Sequence, residues 1–170
     1  ELLIPDFDGN LQALETVVKS GIEILNHNIE TVPRLYGRVR PGHSYECSLN
    51  ILKEAKKLRG EMLTKSGFMV GVGETAEEVL ATLRDLRDID IDIVTIGQYL
   101  QPSDRQLKVE RYVAPQEFQQ FKVAAEELGC GDLAMALYLL TPNLFGIPVL
   151  HCGTDEQKQQ WLPRLTDVAF

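Results

Sequence analysis

The sequence predicts an α/β fold, an incomplete parallel βα barrel of four βα units followed by an all-α C-terminal segment. Short apolar runs alternate four times with helical patterns up to Gly129, which indicates parallel strands joined by right-handed crossovers. After Gly129 the apolar residues keep a helical spacing and no strand pattern follows. With 170 residues the chain is shorter than the roughly 250 residues of a complete eight-fold barrel, so a partial barrel is expected.

The first two units open with short apolar strands. Leu2–Ile4 is stopped by a Pro-Asp pair, and a turn then leads into a helix whose apolar face runs from Leu11 to Val18. Ile22–Leu25 is the second predicted strand. A polar cluster and a long loop separate it from a helix that begins at Ser44.

The third unit carries the most specific local pattern. Met62–Val70 is a strand whose last residues suit burial on both faces, and Gly71 and Gly73 allow a tight turn. Thr75 and Glu78 have the spacing of a capping box, which predicts the start of a helix. The free N–H groups at that start would face a ligand above the glycines. An ordinary βα loop is the alternative.

The fourth strand is predicted at Ile91–Gly97. An exposed, charged connection follows it, and Pro115 then opens a helix. Beyond this helix, Cys130–Leu140 is expected to be helical, and Thr154 with Gln157 predicts another capped helix.

The composition limits the classes of function. The net charge is -8 and no run of Lys or Arg occurs, which argues against a nucleic-acid or anionic-membrane surface. No apolar run approaches the roughly 18 residues needed to cross a bilayer. Cys47, Cys130 and Cys152 lack Cys-x-x-Cys spacing, so neither a disulfide framework nor a metal site is predicted, and a cytoplasmic location is favoured. Cys47 is interpreted as a small buried hydrophobe.

Polar side chains gather at the carboxyl ends of the four predicted strands, where parallel βα folds place their sites. They are Asp6, Asn26, Asn28, Glu30, Lys65, Ser66, Glu74, Gln98, Tyr99 and Gln101. Because these ends converge on one edge of a sheet, the pattern favours a small-molecule site over separate solvated loops. Glu30, Lys65 and Gln98 are expected to face into it. His27 alternates with two asparagines and is expected to be packed, not a ligand.

Six short motifs within residues 1–129 stand in a specific order. They are Leu3–Phe7, Asn26–Val32, Val39–Gly42, Thr64–Gly67, Met69–Thr75 and Ile96–Pro102. Together they resemble the later half of lipoyl synthase, a radical S-adenosylmethionine family. The resemblance implies a transferase of lipoate biosynthesis, in which a 5′-deoxyadenosyl radical drives sulfur insertion into a protein-bound octanoyl chain. The implied partner is an octanoylated lipoyl domain or carrier protein.

The resemblance also implies binding residues. Those for S-adenosylmethionine and substrate are Asn26, Asn28, Glu30, Arg40, Lys65, Ser66, Gly71, Gly73, Gln98 and Gln101. Amides and carboxylates suit the ribose hydroxyls and the ammonium group, and Arg40 or Lys65 suits the carboxylate. No catalytic or metal residue is predicted, because the cysteine triplets that hold the family's two 4Fe-4S clusters are absent here, as is its Arg-Ser-Ser segment. The chain alone is therefore expected to be inactive.

The tail has a resemblance of its own. Gly131–Ala136, Asn143–Gly146 and Gly153–Pro163 are similar to the N-terminal helical domain of acyl-CoA dehydrogenases, over about residues 130–165. FAD is implied only by that family and is not expected to bind, because the β-domain and the catalytic domain of such enzymes are missing. The predicted domains are therefore 1–129, the partial barrel, and 130–170, the helical segment.

Several interpretations of the whole chain remain open. It is a fragment of the lipoyl synthase type, an FAD-dependent relative of acyl-CoA dehydrogenases, or a chimeric or mis-joined product without catalytic activity. The helical tail is either an adaptor for a partner or a cover for the open edge of the barrel. An incomplete barrel leaves unpaired strand edges, so self-association is also expected.

Overall fold

The computed structural model describes residues 1–129, 136–138, 154–156 and 159. Its strands are β1 (Leu2–Leu3), β2 (Ile24–Asn26), β3 (Leu63–Val70), β4 (Ile93–Gln98) and β5 (Ala136–Tyr138). Its helices are α1 (Leu11–Val18), α2 (Tyr36–Val39), α3 (Tyr45–Leu58), α4 (Ala76–Asp88) and α5 (Pro115–Gly129). Short 3-10 helices occupy Phe7–Gly9 and Pro33–Leu35. Among the described helices, none has the length and apolar character needed to cross a membrane.

The strands form one parallel sheet in the order of the sequence, β1-β2-β3-β4-β5. The register places Leu3 opposite Asn26, Asn26 opposite Lys65, and Lys65 opposite Ile93. The predicted α/β fold with four parallel βα units is thereby confirmed. The carboxyl ends of these strands lie along the same edge of the sheet, because parallel strands run in one direction.

The short strand β5 differs from the all-helical tail that the sequence predicts. Ala136–Tyr138 pairs in parallel with Ile93–Thr95 of β4. The edge of β4 offers unpaired N–H and C=O groups, and pairing a further strand there satisfies them. The predicted helix at Cys130–Leu140 is therefore wrong at these three residues. Most of the second predicted helix lies outside the described residues, although Asp155 and Glu156 are helical.

Helices cover one face of the sheet, and most side chains on the other face are only half-buried. On β3, Thr64, Ser66 and Phe68 are buried, whereas Leu63 is exposed and Lys65 is half-buried. The same alternation continues on β4, where buried and half-buried residues follow one another. We call the buried side the covered face and the other side the open face. Because side chains alternate along a strand, neighbouring residues belong to opposite faces.

The main core lies between the covered face and the helices. Its fully buried side chains include Leu14, Leu25, Ile29, Ile51, Leu52, Met62, Val70, Val79, Leu83, Leu86, Val94 and Ile96. Each large apolar side chain that is buried contributes on the order of 1.5–3 kcal/mol to folding. This core holds the strands in position, and the open face of the same strands carries the polar groups.

Side-chain caps set the starts of the helices. The Asn10 side chain accepts hydrogen bonds from two N–H groups at the start of α1, and Ser44 caps α3 in the same way. At α4 the predicted capping box is present. The N–H of Glu78 donates to Thr75 Oγ1 at 3.3 Å, and the N–H of Thr75 donates to Glu78 Oε2 at 2.8 Å. These caps begin α4 directly after the glycine turn.

Candidate functional site

Three small or polar residues meet at the centre of the open face. A Cβ atom on Gly67 would overlap Thr95 Oγ1 and would lie 3.0 Å from Asn28 Oδ1. The absence of a side chain at Gly67 therefore lets an amide from the loop after β2 and a hydroxyl from β4 approach the backbone of β3. The result is a surface of hydrogen-bonding oxygens, bordered by strands that the core holds in place.

A carboxylate already lies between a cation and an amide on the open face. Lys65 Nζ donates to Glu1 Oε1 at 2.9 Å and to Oε2 at 3.2 Å. Asn26 Nδ2 donates to the same Oε1 at 3.0 Å. The hydrogen bond from Lys65 is the main reason that the pKa of Glu1 is lowered. Asn26 Oδ1 is buried, and no group in the described residues donates to it. Lys65 and Asn26 together thus form a carboxylate-binding pair.

Glu30 adopts a conformation that is uncommon for a residue with a side chain. Its φ is +66°, and its backbone is fixed to β3 because its N–H donates to Gly67 O at 3.0 Å while its C=O accepts from the N–H of Met69 at 2.8 Å. Burial raises the pKa of Glu30, although the Arg40 charge and a hydrogen bond with Asn28 act in the opposite direction. A carboxylate held in this way would gain from a cationic partner.

Asp6 is the centre of a buried polar network beyond β1. Its Oδ2 accepts from His43 Nδ1 at 2.8 Å and lies 3.4 Å from Arg40 Nη2. Desolvation acts to raise the pKa of Asp6, but the hydrogen bonds from the Asp8 N–H and His43, with the charges of His43 and Arg40, bring it below its ordinary value. Asp6, Asp8 and His43 have ligand atoms within 4.8 Å of one another, yet the neighbouring guanidinium opposes a metal ion there.

Arg40 donates its hydrogen bonds within this network. Its Nη1 donates to Tyr36 Oη at 3.0 Å and to Ser48 Oγ at 3.3 Å. The Tyr36 hydroxyl and Ser48 Oγ are in turn 2.7 Å apart. Arg40 therefore orders the loop that follows the second strand. Its assignment as a ligand-binding residue stays a prediction.

Gln98 and Gly71 contact the chain's own backbone. We call residues 99–114, between β4 and α5, the strap. Gln98 Nε2 donates to Arg111 O at 3.2 Å, and its Oε1 accepts from the N–H of Val113 at 2.9 Å. A Cβ on Gly71 would overlap Gln98 Nε2 and would lie 2.6 Å from Arg111 O. The strap thus explains why Gly71, at φ +99°, has no side chain.

Three other predicted residues lie apart from the open-face groups. Ser66 is on the covered face, and its buried Oγ has no hydrogen-bond partner among the described residues. Gln101 is in the strap, where its Nε2 donates to Ser103 O at 2.8 Å. Gly73, at φ +110°, has the side chains of Glu110 and Arg38 as its nearest neighbours. The structure therefore brings together Asn26 with Lys65 and Asn28 with Glu30, but not these three.

His27 and Cys47 are the other titratable groups near the site. His27 is only 2% exposed, and its Nδ1 lies 2.9 Å from Ile4 O, as its alternation with two asparagines predicts. Burial lowers the pKa of His27. Cys47 is half-buried, so its interpretation as a buried side chain holds only in part. Burial, with the charges of Asp6 and Asp8, raises the pKa of its thiol.

Sequence reasoning missed three residues that shape the site. Gly67 and Thr95 lie on the open face, and both could have been found by counting alternate positions from Lys65 along β3 and across to β4. Arg111 lies in a charged connection without periodicity, and its contacts form only when the strap folds back onto the glycine turn. No sequence pattern indicated its position.

Two family models match different parts of the chain. The Radical SAM superfamily model matches residues 1–86, just over half of the 170 residues. The model of the N-terminal domain of acyl-CoA dehydrogenase matches residues 114–169. Helix α5 begins within the second match and packs into the core of the first part.

Curated relatives match most of the chain. A lipoyl synthase of Caldanaerobacter subterraneus is 54% identical over 134 residues, covering 79% of this chain and 47% of that protein. A lipoyl synthase of Pelodictyon phaeoclathratiforme is 57% identical over 129 residues, covering 76% of this chain and 44% of that protein. The chain therefore spans less than half the length of these relatives.

The solved structure of 2,3-dimethylmalate lyase, a member of the PEP mutase/isocitrate lyase superfamily, supports the fold alone. Its TM-score is 0.51 at 12% identity, with 98% of this chain and 55% of the other covered. The family is shown by the sequence matches, over a chain whose parallel strands alternate with helices. On this evidence the chain belongs to the radical SAM superfamily.

Proposed function

We propose that residues 1–129 form the S-adenosylmethionine-binding half of a lipoyl synthase-type enzyme. The observation that carries this proposal is the Glu1 carboxylate held by Lys65 and Asn26 on the open face. A ligand carboxylate can accept the same hydrogen bonds from Lys65 and Asn26. The high identity to proteins named lipoyl synthase supports the choice of ligand and a substrate of octanoyl chains carried on a lipoyl domain or carrier protein.

The polar groups of the site match the parts of S-adenosylmethionine. Lys65 and Asn26 suit its carboxylate, and Glu30 suits its ammonium group, because a partly buried carboxylate is stabilised by a cation. Asn28 and Thr95 offer partners for ribose hydroxyls beside Gly67. When cleaved, S-adenosylmethionine supplies the radical for sulfur insertion. The residues of this chain bind and orient it.

The described residues do not fit a 4Fe-4S cluster. Such clusters are held by several cysteine thiolates, and Cys47 is the one cysteine among the described residues. Its raised pKa favours the thiol over the thiolate. We therefore propose that the 170-residue chain, taken alone, binds S-adenosylmethionine without cleaving it.

We further propose that the chain is composite, with a partial barrel at 1–129 and a segment related to acyl-CoA dehydrogenases at 130–170. The two family matches, to residues 1–86 and 114–169, support a composite chain, and the second match includes helix α5 of the partial barrel. The 41 or so residues of the second part are too few to enclose a flavin, so no FAD binding is expected. Sequencing the transcript across codons 125–135 tests whether the two parts are encoded together.

Neighbouring residues on opposite faces provide the test of binding. Lys65→Ala removes a charged hydrogen-bond donor from the open face, so S-adenosylmethionine should bind about 10–100-fold more weakly. Ser66→Ala changes a buried hydroxyl on the covered face, so affinity should stay within about twofold. Isothermal titration calorimetry measures both. Equal affinities of the wild type and Lys65→Ala would remove the basis of the proposal.

Cleavage is tested separately. After anaerobic reconstitution with iron and sulfide, the chain should hold no stoichiometric four-iron cluster and form no 5′-deoxyadenosine, even where it binds S-adenosylmethionine. Iron analysis and chromatography of the products provide the measurements. Turnover by the reconstituted chain would contradict the proposed inactivity, but it would not contradict the proposed binding of S-adenosylmethionine.

A further inference from the structure

We infer that Arg111 and Glu117 are positioning residues, which hold the glycine turn Gly71–Gly73 in place through the buried carboxylate of Glu74. The turn directly follows β3, the strand that carries Lys65 and Gly67. Neither Arg111 nor Glu117 is among the predicted ligand contacts. The effect on the turn follows from contacts within the chain, and only its consequence for ligand affinity rests on the proposed function.

Glu74 is the central group of this arrangement. Its side chain is fully buried, with 0% exposed. Its Oε1 accepts from the N–H of Gly71 at 2.7 Å, and its Oε2 accepts from the N–H of Val72 at 3.0 Å. These bonds fold the carboxylate back over the turn that precedes it. A buried carboxylate is costly unless its charge is balanced, so a nearby cation contributes to keeping Glu74 in this position.

Arg111 supplies that cation. Its Nη2 lies 3.8 Å from Glu74 Oε1. Its backbone also contacts the turn, because its N–H donates to Gly71 O at 3.4 Å and its carbonyl oxygen lies 2.6 Å from the position of a Gly71 Cβ. The backbone of Arg111 therefore contacts Gly71 directly, and its side chain acts on Gly71 and Val72 through Glu74.

Glu117 fixes the direction of the Arg111 guanidinium. Arg111 Nη1 donates to Glu117 Oε2 at 2.6 Å, and Nη2 donates to Oε1 at 2.7 Å. Two parallel hydrogen bonds of this kind define the orientation of both groups. The hydrogen bond from Arg111 is the main cause that lowers the pKa of Glu117. The pair therefore stays ionised near neutral pH.

Helix α5 anchors the other end of this chain of contacts. Glu117 lies in its first turn, and Phe118, Phe121 and Ala125 are buried in the main core. Direct contacts thus run from α5 through Glu117, Arg111 and Glu74 to the backbone of the turn. We therefore expect a displacement of α5 to change the position of the glycine turn. Helix α5 is followed in the sequence by the segment beyond Gly129.

Hydrogen exchange tests the positioning role without any ligand. Arg111→Gln should speed exchange at the amides of Gly71 and Val72 at least tenfold, and Glu117→Gln should do so to a smaller extent. Arg111→Lys should give an intermediate rate, because an ammonium keeps the charge but lacks the two-pronged geometry. Glu126→Gln is the matched control, since Glu126 lies 3.7 Å from Lys122 on the exposed side of the same helix. It should leave both amides unchanged.

The outcomes separate this inference from the proposed function. Unchanged exchange in Arg111→Gln and Glu117→Gln overturns the inference, whatever the affinity for S-adenosylmethionine. Faster exchange confined to the turn supports it, and calorimetry should then show weaker binding in Arg111→Gln. Equal acceleration throughout β3 and α4 indicates general destabilisation and also overturns it. Loss of binding in Lys65→Ala tests the proposed function independently, because Lys65 contacts neither the turn nor Arg111.

Discussion

The covered face and the open face of this sheet are built from alternate residues of the same strands. On β3, Ser66 and Phe68 face the helices, whereas Lys65 lies on the open face beside Gly67. One step along the chain therefore separates a residue that holds the fold from one available to a ligand. The comparison teaches that position within the two-residue repeat, more than polarity, decides whether a side chain is buried against the helices.

The largest expected difference between the faces is in stability. Phe68→Ala leaves a cavity in the main core and should reduce the free energy of unfolding by about 3–5 kcal/mol. Met69→Ala, one residue away and half-buried, should cost on the order of 1 kcal/mol. Urea unfolding followed by circular dichroism measures both. Similar losses in the two variants would break the distinction between the faces.

Gly67 tests the close approach on the open face. Gly67→Ala places a methyl group against Thr95 Oγ1, so we expect a loss of about 1–3 kcal/mol. Thr95→Ala removes the overlapping hydroxyl, and the double variant should therefore recover part of the stability. A double-mutant cycle by urea unfolding measures this coupling. Strict additivity of the two changes would show that the groups do not meet.

The smallest of these effects is the pH dependence of stability. Burial lowers the pKa of His27 below its ordinary 6.5, so the unfolded chain binds that proton at higher pH and stability is lost as the pH falls below about 6.5. Burial raises the pKa of Glu30 above 4.5, so the folded chain keeps that proton longer and stability is lost as the pH rises above 4.5.

The loss of stability at His27 occurs as the pH falls, and that at Glu30 occurs as the pH rises, so substitutions at the two residues should change opposite sides of the pH profile of stability. His27→Gln should reduce the loss of stability between about pH 7.5 and 5.5, and Glu30→Gln should raise stability near pH 7. Urea midpoints at several pH values provide the measurement. A loss of stability in Glu30→Gln near pH 7 would mean that its charge is already compensated.

The order of strands and helices could be predicted because the local signals agree. Apolar runs, Thr75 and Pro115 each specify an element from its own residues, without reference to distant parts of the chain. β5 could not be predicted in the same way. Its three residues form a strand because the edge of β4 is available, and that is a property of the assembled sheet.

The candidate site was predicted less completely than the fold. The sequence predicts polar residues at strand ends, and this holds for Asn26 at the end of β2, whereas Lys65 is the third of the eight residues of β3. Polarity alone also selected Ser66, which alternation places on the covered face. Gln98 illustrates a second limit, because its side-chain amide bonds the backbone of Arg111 and Val113, 13 and 15 residues further along the chain. The sequence shows the groups, and only the fold shows their partners.

The carboxylate of Glu1 has a consequence for any measured affinity. It is tethered to the same chain, so its effective concentration at Lys65 and Asn26 is high, on the order of millimolar or more for a short link. An incoming carboxylate must displace it, so the apparent dissociation constant equals the intrinsic one divided by the fraction of molecules in which the pair is free. A ligand carboxylate thus competes with Glu1 for Lys65. Glu1→Ala should therefore lower the dissociation constant of S-adenosylmethionine in calorimetry.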